Sequence, residues 1–148
     1  MAKVLIVYHS LSGNTKAAAD AVAEGVKKAG AEAKVMEGLK AGPADLLDCA
    51  AIAAGTPDYF SYMAGGLKDF FDRTFYPTQG KINDKPCAIF VTHGGGGKAV
   101  ESMKSICRSF KFRQACTPIL VTNKPDEAAS EKLRAMGELL GKLAAQGG

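Results

Sequence analysis

Short apolar segments alternate with amphipathic segments along the whole chain. The apolar segments have the length of strands, and the amphipathic segments repeat their apolar positions with the period of a helix. The first segment, Val4-Leu5-Ile6-Val7, is apolar throughout, which is typical of a strand that helices cover on both faces of a sheet. The pattern predicts strands at residues 3–8, 31–36, 49–55, 86–92 and 117–122, and helices at residues 14–29, 43–47, 64–74, 98–110 and 126–145.

The order of these elements predicts an α/β fold with three layers, in which a doubly wound sheet of five parallel strands lies between helices. A chain of 148 residues suits one domain, residues 1–148, with a substantial core. The composition, 47% hydrophobic and 23% charged, argues against a disordered chain.

A hydroxyl-rich turn follows the first predicted strand and precedes the first predicted helix. Its hydroxyl, amide and backbone N–H groups, together with the positive end of the helix dipole, predict a phosphate site. The alternative interpretation is a helix N-cap, since Ser, Thr and Asn all favour that position. Neither a G-x-x-x-x-G-K-[ST] nor a G-x-G-x-x-G motif occurs here, which argues against a P-loop NTPase and a dinucleotide-binding turn. The turn consists of Ser10, Leu11, Ser12, Gly13, Asn14 and Thr15.

Two more loops of distinctive composition follow the third and fourth predicted strands. In a doubly wound sheet, ligands bind beyond the carboxyl ends of the strands, so we expect these loops to meet the first one. Aromatic side chains can lie on a flat ring, and glycines let a ring edge approach the backbone. Packing against the next helix and loop flexibility are the alternative interpretations. The residues are Thr56, Pro57, Asp58, Tyr59, Phe60 and Ser61 in one loop, and Thr92, His93, Gly94, Gly95 and Gly96 in the other.

The compositions of the three loops together favour a flat phosphorylated ligand. At these loops the chain resembles the flavodoxin-like family of FMN proteins. The first loop is similar to the family's [ST]-x-[ST]-G-x-T phosphate signature. The segments at residues 55–73 and 92–96 are similar to its ring-binding loop, the following helix and its third loop. The resemblance implies the strand order 2-1-3-4-5 and FMN held without a covalent link. Its phosphate would lie at residues 10–15 and its isoalloxazine ring between the other two loops.

The resemblance also implies that the protein tunes the flavin, which carries the chemistry. An ionised Asp58 near the ring would oppose reduction. His93 is a candidate donor to the ring or to a docked acceptor, and its alternative role is purely structural. We assign no catalytic residue.

One function that the resemblance implies is electron transfer between a reductant and an acceptor protein. The chain length and an uninterrupted fifth strand resemble short-chain flavodoxins. The net charge of +4 and the pI near 8.9 depart from the acidic carriers of the family. A second departure is the absence of glycine in the segment Tyr59-Phe60-Ser61-Tyr62. A flip to positive φ there would cost about 1 kcal/mol, which favours cycling by two electrons.

The competing function is that of an FMN-dependent NAD(P)H:quinone oxidoreductase, which the helix motif at residues 63–73 favours. Such enzymes form homo-oligomers that complete the pocket, and the acceptor would be a small molecule such as a quinone. Whether the chain is an enzyme therefore stays open. A non-redox binding or signalling module is a third alternative, but a receiver domain would need acidic residues where His9 and Ser10 follow the first strand.

The remaining features exclude several classes of partner. The four cysteines form no C-x-x-C pair, which predicts buried free thiols and no metal site. The basic residues are dispersed without interleaved aromatics, so we expect no nucleic-acid partner. No apolar run approaches the length of a membrane span, and no signal peptide precedes the first strand, so we expect a cytoplasmic protein without membrane insertion.

Overall fold

Strands and helices alternate in the structure, a computed structural model that describes residues 1–147. Gly148, the last residue of the predicted domain, lies outside the described residues. The strands are β1 (Lys3–Tyr8), β2 (Glu32–Glu37), β3 (Ala51–Tyr59), β4 (Tyr62–Met63), β5 (Pro86–His93), β6 (Arg113–Gln114) and β7 (Ile119–Thr122). The helices are α1 (Asn14–Lys28), α2 (Pro43–Asp48), α3 (Gly65–Thr78), α4 (Ala99–Ser109) and α5 (Glu127–Gly147).

The sheet is parallel along its main path and has the predicted topology. Strand β2 pairs with β1, β1 with β3, and β3 with β5, while β6 and β7 both pair with β5. Counting β5 as the fourth position and β6 with β7 as the fifth gives the order 2-1-3-4-5, so the predicted fold class is confirmed. Tyr8 lies opposite Gly55, which lies opposite Phe90. The carboxyl ends of β1, β3 and β5 therefore reach the same edge.

The five predicted positions of the sheet are present, and the structure adds two short strands that were not predicted. Strand β3 continues to Tyr59 and turns back into β4, with Tyr59 opposite Tyr62 in an antiparallel pair. The fifth position is split into β6 and β7, which contradicts the expectation of an uninterrupted strand. Residues 115–118 separate the two parts, and Pro118 among them has no N–H to give to a ladder.

Alternate residues of the central strands enter two separate apolar layers. Val4 and Ile6 of β1 face the layer formed with α1 and α5, whereas Leu5 and Val7 face the layer formed with α3 and α4. Successive side chains of a strand point to opposite faces, so a strand buried on both faces must be apolar at every position. This geometry accounts for the continuous apolar run that the sequence shows.

Helices α1 and α5 cross closely because glycines lie at their contact. A Cβ atom at Gly25 would collide with the backbone carbonyl of Arg134, and one at Gly137 would collide with that of Val22. The two closely packed helices together cover one face of the sheet. None of the helices in the described part of the chain is long and apolar enough to span a membrane.

Candidate functional site

The three predicted loops meet at the carboxyl edge of the sheet and line a cleft of about 220 Å³. We call it the loop cleft. Each loop contributes three residues, and one further residue comes from the segment after β7. The lining residues are Leu11, Ser12, Asn14, Pro57, Asp58, Tyr59, Thr92, His93, Gly94 and Asn123.

The first loop wraps around the start of α1 and caps it without a side chain. Gly13 is the N-cap residue, has φ of +98° and makes no side-chain cap. The N–H of Gly13 donates to the Ser10 hydroxyl at 3.1 Å, and the N–H of Asn14 lies 3.5 Å from the Ser12 hydroxyl. The predicted alternative of a conventional Ser or Thr N-cap therefore does not describe this turn. The positive end of the helix dipole and the N–H groups of the first turn point toward the loop. Both would stabilise a bound anion.

A buried hydrogen bond joins the first loop to the third. The hydroxyls of Thr15 and Thr92 lie 2.7 Å apart, and the two residues are 1% and 3% exposed. Thr15 is in the first turn of α1, and Thr92 is near the end of β5. Thr15 therefore fixes the relative position of the two loops and does not line the cleft.

The second loop is a two-residue hairpin turn whose central residues both lie in the left-handed region. Phe60 has φ of 57° and Ser61 has φ of 63°. This combination is typical of a type I′ turn, which usually contains Asn and Gly. The absence of glycine does not prevent positive φ here, because Phe60 and Ser61 already adopt that conformation. The strain is already present in the turn.

Thr56 holds the two ends of the second loop together. Its hydroxyl donates to the carbonyl of Pro57 at 2.7 Å and accepts the N–H of Ala64 at 2.8 Å. Thr56 itself is fully buried. Tyr59 meets the ring of His9 edge to face, with 6.1 Å between ring centroids. These contacts position Pro57, Asp58 and Tyr59 along the cleft.

The third loop is shaped by His93. The N–H of Gly95 donates to His93 Nδ1 at 3.1 Å, so in the neutral ring the proton is on Nε2. A Cβ atom at Gly96 would lie 3.1 Å from Asp58 Oδ2, closer than most side chains approach a neighbour. The glycine therefore lets the second and third loops come together. Gly97 has φ of 82°, which also favours glycine.

The other predicted residues adjoin the cleft without lining it. Thr15 and Thr56 are buried supports, and Phe60 points its side chain fully into solvent. The rest form the turns that carry the lining residues: Ser10, Gly13, Ser61, Gly95 and Gly96.

Sequence reasoning missed Asn123. This residue follows β7, has φ of 57°, and donates its N–H to the carbonyl of His93 at 2.8 Å. Ligands bind at the carboxyl ends of parallel strands, and this rule also holds for the strand at the fifth position of the sheet. Applied to that strand, it predicts that the residue after β7 adjoins the cleft.

Larger clefts occur elsewhere, and chemistry rather than volume distinguishes the loop cleft. A cleft of about 600 Å³ lies near the amino ends of β3 and β5, beside Cys49, Lys85 and Arg113. The Lys85 ammonium there already donates to the carbonyls of Leu46 and Cys49. The loop cleft instead combines hydroxyls, a helix start and glycine backbone at the edge where doubly wound sheets bind ligands. Among residues 1–147 no group of three or more His, Cys, Asp or Glu residues could hold a metal ion.

The chain is similar to known flavoproteins in sequence. Residues 39–124 match the family of NADPH-dependent FMN reductases. A flavodoxin of Aquifex aeolicus is 32% identical over 115 residues, which are 76% of this chain and 62% of that protein. An NAD(P)H dehydrogenase (quinone) of Archaeoglobus fulgidus is 32% identical over 133 residues, with 70% of each chain covered. The chain thus spans less than two thirds of the Aquifex protein.

The fold is also similar to solved structures. A flavodoxin from the domain Archaea superposes with a TM-score of 0.89 at 23% identity, and the match covers 97% of this chain and 99% of that one. At this identity the likeness concerns the fold. It agrees with the observed strand order.

Proposed function

The chain belongs to the flavodoxin-like family of FMN-binding proteins, and we propose on this basis that it binds FMN without a covalent link in the loop cleft. We further propose that it transfers electrons between a reductant and an acceptor protein. The observation that carries the proposal is the convergence of three separate loops, one rich in hydroxyls, one aromatic and one rich in glycine, on one cleft.

The first loop suits a phosphate. The hydroxyls of Ser10 and Ser12 lie beside the start of α1, where backbone N–H groups lack partners within the helix. Gly13 adds no side chain between them. Hydroxyl donors and the positive end of the helix dipole stabilise a phosphate without a basic side chain. The residues that would hold it are Ser10, Leu11, Ser12, Gly13, Asn14 and Thr15.

The second and third loops suit a flat ring. Tyr59 of the second loop and Gly94 of the third both line the cleft, and the exposed glycines of the third loop put no side chain between a ring and the backbone. Asp58 lies beside Gly96 of the third loop, where a negative charge would make bound FMN harder to reduce. Bound FMN would supply the redox chemistry, and these residues would orient it and set its potential. They are Thr56, Pro57, Asp58, Tyr59, Phe60, Ser61, Thr92, His93, Gly94, Gly95 and Gly96.

Exposed apolar side chains beside the cleft favour electron transfer to a partner protein. Leu11 and Phe60 beside the cleft are 77% and 102% exposed, and exposed apolar side chains around a site are typical of a contact surface for a partner.

The second candidate is an FMN-dependent NAD(P)H:quinone oxidoreductase with a small-molecule acceptor. The match to the reductase family and the quinone dehydrogenase relative support it. The helix motif at residues 63–73 does not separate the two functions, because its Arg73 has a structural role. The guanidinium donates to the carbonyls of Gly38 and Ala41 and to the Asp69 carboxylate.

We also propose that residues 1–148 form one domain and that the protein is cytoplasmic. The four cysteines are free in the structure, and free thiols persist in a reducing compartment.

A homo-oligomer belongs to the reductase candidate, in which a neighbouring chain completes the pocket. Size-exclusion chromatography with light scattering tests that part of the proposal.

An FMN titration followed by stepwise anaerobic reduction tests the proposal. We expect saturable binding with a perturbed flavin absorption spectrum, and no such binding would overturn it. Oxidation of NAD(P)H by the holoprotein with a quinone, measured in the same preparation, separates the candidates. Rapid turnover supports the reductase, whereas slow turnover with rapid electron transfer to an added redox protein supports the carrier.

A further inference from the structure

Two of the four cysteines lie side by side in the core, away from the loop cleft. Cys87 is the second residue of β5, and Cys107 is in the last turn of α4. Their sulfur atoms are 3.4 Å apart, and the residues are 2% and 8% exposed. The cysteines are 20 positions apart and bracket the third loop. We propose that Cys87 and Cys107 are a site of reversible oxidation, where a hydroperoxide converts the pair into a disulfide.

The backbones on both sides of the pair are held in place. The carbonyl of Cys87 accepts the N–H of Ala115, and the carbonyl of Cys107 accepts the N–H of Phe112. Sulfur atoms in a disulfide are about 2.05 Å apart, so they must approach by roughly 1.4 Å. Movement of the two side chains brings the sulfurs together while these hydrogen bonds keep the strand and helix in register.

A small cavity gives an oxidant access to both sulfurs. It has a volume of about 30 Å³ and is lined by both cysteines, with Lys104 and Arg108 at its rim. That volume exceeds the roughly 10–15 Å³ that one water molecule needs, so it suits a very small oxidant such as hydrogen peroxide.

The environment gives the two sulfurs different roles. The hydrogen bond with Cys107 and burial raise the pKa of Cys87 well above its usual range. Cys87 therefore keeps its proton, and the more exposed Cys107 is the sulfur that reacts first.

The chemistry balances with hydrogen peroxide as the oxidant. Cys107 releases its proton as its sulfur attacks one peroxide oxygen; an S–O bond forms, the O–O bond breaks, and the leaving hydroxide takes that proton to become water. The Cys87 sulfur then attacks the sulfur of the resulting Cys107 sulfenic acid. An S–S bond forms, the S–O bond breaks, and the oxygen leaves as a second water with the proton of Cys87. Two thiols and one peroxide thus give one disulfide and two waters.

The experiment treats the full-length holoprotein with hydrogen peroxide and then counts thiols after denaturation. We expect two of the four thiols to be lost and recovered with a dithiol reductant, and peptide mapping to find Cys87 linked to Cys107. We also expect the thermal unfolding midpoint to rise, because the bond closes a loop in the unfolded chain. A map in which these two remain unlinked while another cysteine has reacted would overturn the proposal.

Variants distinguish this pair from the other cysteines. We expect Cys107→Ser to lose both the linked peptide and the rise in the unfolding midpoint. Cys116→Ser is the matched control, since Cys116 is only half-buried and lies outside the pair, and it should keep both responses. If Cys107→Ser does not fold, Cys87→Ala provides the same comparison. A rise in the midpoint that survives loss of the pair would contradict the assignment.

Discussion

The hydroxyls of Thr15 and Thr92 share a buried hydrogen bond 2.7 Å long that joins the start of α1 to the end of β5. The residues are far apart in the sequence, and each belongs to a different loop of the cleft. Because neither hydroxyl is exposed, each depends on the other for its partner. The bond sets the distance between the predicted phosphate site and the third loop.

Replacing both threonines should cost less than the sum of the two single replacements. We expect Thr92→Val to lower the free energy of unfolding by about 1–3 kcal/mol, because the Thr15 hydroxyl is left buried without this partner. The double variant Thr15→Val with Thr92→Val should lose less than the sum of the single variants. Denaturant unfolding of the four proteins measures this coupling. Thr74→Val is a control, because the Thr74 hydroxyl bonds only within α3.

Gly13 and Gly30 provide a matched pair for testing the first loop. They have φ of +98° and +86°, and a Cβ atom at either position would meet no atom within 4 Å. We expect Gly13→Ala and Gly30→Ala to lower the free energy of unfolding similarly, by about 1 kcal/mol, because of backbone strain. Only Gly13→Ala should also weaken FMN binding, by roughly tenfold, because it shifts the loop that would hold the phosphate. Equal affinities for FMN would count against the phosphate site.

The main elements could be predicted because their patterns are local. Strand β1 was predicted at its observed bounds, and α1 to within one residue, because a doubly buried strand and an amphipathic helix leave regular patterns in the sequence. The first loop could be predicted as part of the site because it is rich in hydroxyls and lies between these two elements.

The features that were missed depend on pairing between distant or irregular segments. The hairpin of β3 and β4 has no Gly or Asn at its turn, so Phe60 and Ser61 gave no turn signal. The edge position is split because β6 and β7 pair with different parts of β5, which the apolar pattern does not show. Asn123 enters the cleft only through the placement of β7 at that edge.

The strain at Ser61 should be removable. We expect Ser61→Gly to raise the free energy of unfolding by about 1 kcal/mol, since glycine adopts φ of 63° without a steric cost. The same change at Ser105, an exposed position within α4, should lower it by about 1 kcal/mol, because glycine weakens a helix. Denaturant unfolding compares the two. A loss of stability at both positions would show that the turn is not strained.

Asp58 should make FMN harder to reduce. On the proposed function, we expect Asp58→Asn to raise the reduction potential of bound FMN by on the order of tens of millivolts, because a negative charge near the ring is removed. The effect should shrink at high salt if the carboxylate is solvated. Asp48→Asn is the charge-matched control, since Asp48 pairs with Lys3 at the start of β1, the opposite end of the sheet. Spectroscopic titration against reference dyes measures both potentials, and identical shifts would rule out a local effect.

Asp45 should link the stability of the fold to pH. Burial alone raises the pKa of its carboxyl, but hydrogen bonds from the Lys34 ammonium and the Gly42 N–H outweigh it, so the pKa is lowered. The folded state therefore holds a proton on Asp45 less readily than the unfolded state, whose pKa is about 3.9. The stabilisation is fully present above that value and is lost as the pH falls through the lower pKa of the folded state.

We therefore expect Asp45→Asn to be less stable than the parent at neutral pH and to lose less further stability below about pH 4. Asp72→Asn is the control, because Asp72 forms an exposed i,i+4 pair with Lys68 that contributes little. Urea unfolding midpoints measured from about pH 7 to about pH 2 would test this, and parallel curves for the parent and Asp45→Asn would contradict it. The same ion pair and N–H contact hold the start of α2, so this acid-sensitive interaction lies in the connection between β2 and β3.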